Sequence, residues 1–160
     1  MKIRSALEKD VPTIVQLVAL HAQRGDVLPR EEEAIQKSLP DWLVAEHEDQ
    51  VVACVSLLSY RHDLAEVRSL VVADEVKGQG MGKALVHALV SEARRRSIPT
   101  LFALTRTVPF FERAGFDLST KERFPEKVWQ DCHVCPVRDN CDETAMVLEL
   151  DQIPHLDIGE

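Results

Sequence analysis

The sequence predicts an α/β or α+β fold in which a central mixed sheet carries helices on both of its faces. Short β-branched segments alternate with segments whose apolar residues recur every three or four positions. The two kinds of segment follow one another in the order β-α-α-β-β-β-α-β-α-β-β, which is typical of a mixed sheet covered by helices. Hydrophobic residues make up 45% of the 160 residues, enough for the core of one domain.

Apolar spacing and turn residues place the elements of the N-terminal half. Asp10 is expected to cap a helix that begins near Val11-Pro12, because proline suits the first helical turn. Gly25 is expected to end that helix. The predicted elements are strand 2–6, the helix from residue 11, a short acidic helix 30–38, strands 42–46 and 50–59 around a polar turn at 48–49, and strand 66–73.

The C-terminal half continues with two helices and three strands. Arginines favour the C-terminal end of the first helix, and Gly115 stops the second. We expect residues 1–150 to form one domain that includes a cysteine-containing segment, 120–142, and residues 151–160 to form a loose tail. The predicted elements are helix 82–96, strand 100–105, short helix 108–114, and strands 116–119 and 143–150.

A glycine-rich loop between a strand and a helix is the most informative motif. In the stretch VVADEVKGQGMGKAL, a β-branched strand is followed by Gly78, Gly80 and Gly82 and then by a helix. Glycines let a ligand approach the backbone closely, and the N-terminus of a helix attracts anions. Lys83 stands where a dinucleotide fingerprint requires glycine, and Ala84 where a P-loop requires Ser or Thr. The loop therefore predicts a phosphate or pyrophosphate site of another class.

Charge and hydropathy exclude several classes of function. The net charge of −8 argues against general binding of nucleic acid, which favours a basic surface. No apolar run approaches the ~20 residues of a membrane span. The N-terminal stretch MKIRSALEKD is too polar for a signal peptide. We therefore expect a cytoplasmic protein with neither nucleic acid nor membrane as a partner.

Two stretches resemble the landmarks of the GNAT superfamily of N-acetyltransferases. They are VRSLVVADEVKGQGMGKALV, which contains the glycine loop, and FFERAGF at 110–116. The resemblance covers roughly residues 1–150 and implies the GNAT fold, a central mixed and mostly antiparallel sheet flanked by helices. It also implies acetyl-CoA as the acetyl donor and direct attack by an amine without an acyl-enzyme. Lys77 replaces the usual Arg or Gln of the family, a mild change because that position acts mainly through its backbone N–H.

The resemblance implies that backbone groups hold most of the acetyl-CoA molecule. Its pantetheine arm resembles a β-strand and can pair with a strand edge, and its pyrophosphate would lie on the glycine loop. The expected cofactor-binding residues are Leu70, Val71, Val72, Lys77, Gly78, Gln79, Gly80, Met81, Gly82, Lys83 and Phe111.

Four segments, two of which overlap the stretches above, are similar to the acetyltransferase domain of N-acetylglutamate synthases, and the chain is most similar to the short, stand-alone type. They read VLPRE, AEVRSLVV, LFALTRTVPFFERAGF and FPEKVWQDC. This similarity implies that the acceptor is the α-amine of L-glutamate and that the reaction is the first step of arginine biosynthesis.

The resemblance also suggests which residues move protons. Glu66 is expected to be the general base, acting through water; the alternative is a charge on the surface at a strand edge. The usual GNAT tyrosine is replaced by Phe111, and the only tyrosine, Tyr60, lies elsewhere in the sequence. Thr107 is the expected general acid, with water as an alternative; it could equally be the N-cap of the following helix.

A glutamate acceptor carries two carboxylates, which guanidinium groups bind well. The expected substrate-binding residues are Arg30, Arg68 and Arg106, of which Arg106 ranks last. Arg68 follows Glu66 by two residues in the predicted strand, so their side chains lie on the same face and could both face one site. The alternative for each arginine is an ordinary surface salt bridge.

The cysteines admit more than one interpretation. Cys132, Cys135 and Cys141 form a C-x2-C-x5-C pattern, whereas structural zinc usually takes four ligands. We expect no metal, with a zinc site on these three cysteines as the less favoured alternative to a loop that closes over the acceptor. Cys54 lies in an apolar strand and is expected in the core.

Two rival functions fit the same sequence. One is a GNAT enzyme for another amine, such as a different amino acid, a polyamine or a protein N-terminus. The other is a non-catalytic module that senses acetyl-CoA or an amino acid, which Phe111 in place of tyrosine would suit. Dimers are common in GNAT proteins, so the resemblance leaves a homodimer open.

Overall fold

The computed structural model describes residues 1–25, 27, 29–120, 123 and 143–150. All eleven predicted elements are present, with ends that differ by at most two residues. The strands are β1 Lys2–Ser5, β2 Trp42–His47, β3 Gln50–Arg61, β4 Leu64–Val72, β5 Thr100–Thr105, β6 Asp117–Leu118 and β7 Thr144–Glu149; the helices are α1 Val11–Gln23, α2 Glu32–Lys37, α3 Met81–Arg95 and α4 Val108–Arg113. Short 3-10 turns occur at Glu8–Asp10, Leu39–Asp41 and Asp74–Val76.

The strands form a seven-stranded sheet in the order β1-β2-β3-β4-β5-β7-β6. Neighbours pair antiparallel at β1–β2, β2–β3, β5–β7 and β6–β7, whereas β4 and β5 run parallel. The sheet is therefore mixed and mostly antiparallel, with flanking helices, and the predicted fold class is confirmed. The last strand among the described residues, β7, lies between β5 and β6, and β6 is only two residues long where four were predicted.

The chain divides into two compact units. The first unit comprises Met1–Leu58 and Val67–Ser91, and its core is built around α1. Val11, Ile14 and Val18 recur on one buried face of that helix, as helical spacing predicts. They belong to a cluster of buried residues whose other members are Ala6, Ile35, Trp42, Val44, Cys54 and Val71.

The second unit comprises Ser59–Glu66 and the described part of 92–160. Its cluster of buried residues consists of Leu64, Phe102, Ala145 and Val147, with Tyr60 and Leu104 packed against it. Among the described helices of both units, none combines the length and the hydrophobicity that a membrane crossing needs.

The prediction that the Asp10 side chain caps α1 is wrong. Asp10 occupies the N-cap position of α1, but its side chain makes no capping hydrogen bond. Its buried carboxylate instead accepts hydrogen bonds from the guanidinium of Arg4 at 2.7 and 3.1 Å and from the backbone N–H of Leu7 at 2.7 Å. Arg4 also donates to Glu46 on β2. A charged partner from β1 thus outcompetes the helix end for this carboxylate.

Candidate active site

In the first unit, the glycine-rich loop forms an exposed turn after β4. Gly78 and Gly80 have φ angles of +83° and +84°, which favour glycine over any other residue. A Cβ atom added at either position would meet nothing within 4 Å. The backbone conformation, rather than crowding by the protein, therefore requires these glycines, and a ligand can approach the turn closely.

Helix α3 begins immediately after this turn, at Met81. The N–H of Ala84 donates to the carbonyl of Gly80 at 3.0 Å, so intrahelical bonding starts there. The N–H groups of Met81, Gly82 and Lys83 precede that bond and are donors that a helix cannot satisfy itself. Because α3 is 15 residues long, its dipole adds partial positive charge at the same place. The turn and the helix end fit a pyrophosphate group.

Asp74 joins two cations beside the turn. Its carboxylate accepts hydrogen bonds from Arg24 at 3.0 and 2.6 Å, and the ammonium of Lys77 lies 3.3 Å away. Chiefly the guanidinium of Arg24, and then Lys77, hold the pKa of Asp74 well below its usual range. The side chain of Lys77 is thus engaged by a carboxylate. Arg24 and Asp74 are 50 residues apart, and no sequence pattern linked them.

Strand β4 departs from regular geometry at Ser69. This residue has a φ of +57°, in the left-handed region that a strand normally avoids. Its hydroxyl is buried and has no hydrogen-bond partner among the described residues. The Ser56 hydroxyl donates to the carbonyl of Arg68 at 3.1 Å. A positive φ within a strand changes the direction of the backbone, here just before Leu70 to Val72, the strand residues predicted to contact the cofactor.

In the second unit, Glu66 is only 3% exposed although it is a charged residue. The hydroxyl of Tyr60 donates a 2.8 Å hydrogen bond to its Oε1 atom. A surface charge, the alternative considered for Glu66, is therefore wrong. This pair was not predicted from the sequence, in which Tyr60 was noted only as lying away from the position of the usual GNAT tyrosine. The signal was available: the two residues flank the short connection between β3 and β4 at a spacing of six.

Thr107 lies at the start of α4 and is exposed. It occupies the N-cap position, yet its side chain makes no capping hydrogen bond. Its hydroxyl lies 2.9 Å from that of Thr105, and its N–H donates to the Thr105 hydroxyl at 2.8 Å. The capping role is therefore not observed, and the Thr107 hydroxyl belongs to a pair of threonines that sequence reasoning did not connect.

Phe111 is buried in the second unit. Its ring meets those of Phe110 and Phe116 edge to face, with centroids 5.1 and 5.2 Å apart. Edge-to-face contacts at these distances are a favourable arrangement of aromatic rings. Phe111 thus has a structural role at this landmark, and its contact with the cofactor stays a prediction.

The three candidate arginines have different environments. Arg30, just before α2, and Arg68, in β4, are both partly buried. The side chain of Arg106 is 39% exposed, and its guanidinium lies 3.9 Å from the carboxylate of Glu143. That geometry matches the surface ion pair considered as the alternative for Arg106.

Cys132, Cys135 and Cys141 lie outside the described residues. Within the described ranges, no group of three or more His, Cys, Asp or Glu side chains is arranged to hold a metal ion. Cys54 is fully buried, as predicted, and burial raises the pKa of its thiol to about 12.

A family comparison agrees with both landmarks. The model of the acetyltransferase (GNAT) family matches residues 13–116. An uncharacterized N-acetyltransferase of Chlorobaculum tepidum is 36% identical over 148 residues, 92% of this chain and 96% of that protein. An amino-acid acetyltransferase of Mannheimia succiniciproducens is 28% identical over 127 residues; these are 78% of this chain but only 29% of that longer protein.

Solved structures share the fold. N-acetylglutamate synthase from Neisseria gonorrhoeae, complexed with coenzyme A and N-acetyl-glutamate, gives a TM-score of 0.82 at 25% identity, covering 93% of this chain and 35% of that chain. Rv2747 from Mycobacterium tuberculosis, in complex with CoA and NLQ, gives a TM-score of 0.79 at 31% identity, covering 94% of this chain and 99% of that chain.

Proposed function

The chain belongs to the acetyltransferase (GNAT) family, and on that premise we propose that it transfers an acetyl group from acetyl-CoA to the α-amine of L-glutamate. The product is N-acetyl-L-glutamate, and the reaction is the first step of arginine biosynthesis. Support for this acceptor comes from the similarity to an amino-acid acetyltransferase and to N-acetylglutamate synthase. The chain spans about a third of the length of those two proteins, so the acceptor is part of the proposal.

The observation that carries this function is the buried carboxylate of Glu66. Burial of a carboxylate costs free energy unless hydrogen bonds compensate it, so a carboxylate kept at 3% exposure calls for a role. Glu66 lies in β4, the strand that leads to the glycine turn. Acceptance of a proton from an ammonium group is a role that fits this residue type and its burial.

The glycine turn and the N-terminus of α3 hold the pyrophosphate of acetyl-CoA. Gly78 and Gly80 leave the backbone accessible, and the N–H groups of the first turn of α3 donate to the phosphate oxygens. These donors are backbone groups, so the engagement of the Lys77 side chain by Asp74 does not weaken them. The residues Leu70 to Val72 offer further backbone groups to the pantetheine arm.

Acetyl-CoA supplies an acetyl group as a thioester, whose C–S bond breaks as the amide C–N bond forms. Glu66 accepts, through a water molecule, the proton that the substrate ammonium must lose before its nitrogen can attack. After attack the nitrogen loses a second proton and the departing thiolate takes up one. The Thr107 hydroxyl or water donates to the sulfur and is reprotonated by the proton that the nitrogen releases. Because Thr105 shares a hydrogen bond with Thr107, it can fix the direction of that hydroxyl.

Arg30 and Arg68 bind the two carboxylates of glutamate. Partial burial excludes some of the water that would compete for a guanidinium, and Arg binds carboxylates in a two-pronged geometry. Arg106 contributes less, because it is exposed and faces Glu143.

The test is a transfer assay with L-glutamate, L-glutamine, L-aspartate and a polyamine side by side, with release of free thiol as readout. We expect the highest kcat/KM with L-glutamate. A higher value with another amine contradicts the acceptor, and cofactor binding without turnover on any amine contradicts an enzymatic role.

Two variants test Glu66 as the catalytic base, independently of which amine is the acceptor. Glu66→Gln is expected to lower kcat about 100-fold or more while it leaves acetyl-CoA affinity unchanged. Glu149→Gln is the matched control, because Glu149 is another carboxylate of the second unit that accepts a hydrogen bond from a hydroxyl, that of Thr100 at 2.7 Å. It should keep its kcat. Unchanged turnover in Glu66→Gln removes the assignment of Glu66.

A further inference from the structure

Tyr60 contacts Glu66, the proposed catalytic base. Its hydroxyl donates to Oε1 of Glu66 at 2.8 Å, a normal length for a hydrogen bond between a hydroxyl and a carboxylate. Both residues belong to the second unit and lie on strands that are adjacent in the sheet. Tyr60 is also the only tyrosine in the chain, which makes it separately observable by spectroscopy.

The ring of Tyr60 is held by packing, so its hydroxyl has a defined position. The ring centroid lies 5.7 Å from that of Phe102 at an interplanar angle of 34°. Phe102 is fully buried on β5 and is the register partner of Glu66 across the parallel β4–β5 pair. The rest of the contact surface comes from the cluster of Leu64, Ala145 and Val147. A hydroxyl on a fixed ring can hold the carboxylate in one orientation.

We propose that Tyr60 is the positioning residue of the catalytic base: its hydroxyl holds the Glu66 carboxylate in the orientation that accepts the substrate's proton. This inference rests on the proposed role of Glu66. Tyr60 itself touches neither substrate nor cofactor in this role. Proton transfer depends on geometry before it depends on acidity, so a carboxylate free to rotate transfers protons more slowly than a fixed one.

The direct test is Tyr60→Phe, which removes the hydroxyl and keeps the ring that packs on Phe102. We expect kcat to fall about 10- to 100-fold, the range for loss of a hydrogen bond to a charged group, with KM for acetyl-CoA changed less than twofold. Thr100→Val is the matched control, since it also removes a hydroxyl donor from a carboxylate of the second unit, Glu149. It should leave kcat within twofold.

A double-mutant cycle distinguishes positioning from general support of the fold. If Tyr60 acts through Glu66, Tyr60→Phe has no further effect on kcat in a Glu66→Gln background. A loss that persists in that background contradicts the inference. So does wild-type kcat in Tyr60→Phe when Glu66→Gln has lost turnover; in that case the proposed function stands and only the inference fails. If Glu66→Gln keeps full turnover, the assignment of Glu66 as the base is wrong and so is the inference that rests on it, whereas the acceptor assay still decides the proposed function. The cycle is run on whichever amine is the best acceptor.

A spectroscopic measurement covers the case in which Tyr60→Phe does not fold. Because the chain has one tyrosine, growth on meta-fluorotyrosine labels Tyr60 alone. We expect its fluorine NMR resonance to shift in Glu66→Gln, where the acceptor loses its charge, and to stay unchanged in Thr100→Val. An identical resonance in the wild type and Glu66→Gln contradicts the hydrogen bond and the inference with it.

Discussion

The guanidinium of Arg24, at the C-terminal end of α1, forms a two-pronged hydrogen bond with the carboxylate of Asp74, at 3.0 and 2.6 Å. Asp74 opens the 3-10 turn that precedes Gly78 and Gly80. The same carboxylate lies 3.3 Å from Lys77. One exposed acidic residue thus ties the end of a helix to the backbone that is proposed to hold a pyrophosphate.

Arg24→Gln is expected to raise KM for acetyl-CoA about two- to fivefold, because the turn loses one of its anchors. The effect is small because both side chains are exposed, at 39% and 52%, and water screens the pair. Steady-state kinetics at low and high salt measure it. Arg95→Gln removes another surface ion pair, with Glu92 at the far end of α3, and should not change KM. Equal KM values in wild type and Arg24→Gln contradict this anchoring role.

Gly80→Ala is expected to raise KM for acetyl-CoA more than tenfold. Its φ of +84° forces a residue with a Cβ into a conformation that costs about 1–2 kcal/mol, so the turn changes shape. Isothermal titration with coenzyme A measures the loss of affinity directly. Gly25→Ala is the control, since Gly25 has a φ of +80° and equally open surroundings. A similar loss of affinity in Gly25→Ala would mean that the loss in Gly80→Ala comes from general destabilisation.

Arg68→Gln is expected to raise KM for L-glutamate at least tenfold and to leave KM for acetyl-CoA nearly unchanged. Arg106→Gln, in contrast, should change KM for L-glutamate less than threefold, because its exposed guanidinium faces Glu143. The two variants form a matched pair in one steady-state assay. The reverse ranking would place the substrate carboxylate at Arg106.

Asp10→Asn is expected to destabilise the fold by about 2 kcal/mol at neutral pH, because it weakens a buried charge pair with Arg4. Hydrogen bonds from Arg4, and to a lesser extent from the Leu7 N–H, lower the pKa of Asp10 in the folded protein, although burial opposes them. Since the folded pKa lies below the unfolded value of about 4, this stabilisation is complete above that pH and is lost as pH falls through the folded pKa.

Urea denaturation of wild type and Asp10→Asn across pH 3 to 7 measures this contribution. The difference between the two proteins should shrink below about pH 4. Glu33→Gln, which alters an exposed pair with Lys37, should match wild type throughout. A difference that is constant with pH would mean that the charge of Asp10 is not what stabilises the fold.

Cys54 is expected to resist alkylation in the folded protein. Burial raises the pKa of its thiol to about 12, so almost none of it is the reactive thiolate near pH 8. Iodoacetamide treatment followed by peptide mass spectrometry should find the Cys54 peptide unmodified, and fully modified when urea is present. Rapid modification without denaturant would show that the core around β3 opens readily.

The local features of this chain could be predicted from its sequence because they depend on near neighbours. The spacing of Val11, Ile14 and Val18 encodes a helix with one apolar face, whatever it packs against. Gly78 and Gly80 adopt positive φ values, the conformational freedom that glycine gives to the loop before α3. The element order and the two family landmarks were enough for the fold class, even though element ends shifted by a few residues.

Only the tertiary structure decided which distant residues meet. Asp10 had the right residue type and position for a helix cap, but Arg4 on the neighbouring strand competed for its carboxylate. The insertion of β7 between β5 and β6, and the pairing of Arg24 with Asp74, depend on chain segments far apart in sequence, which local periodicity does not encode. The same holds for the burial of Glu66 against Tyr60: a strand pattern places a carboxylate on a face, but the neighbouring strands determine whether water or a hydroxyl contacts it.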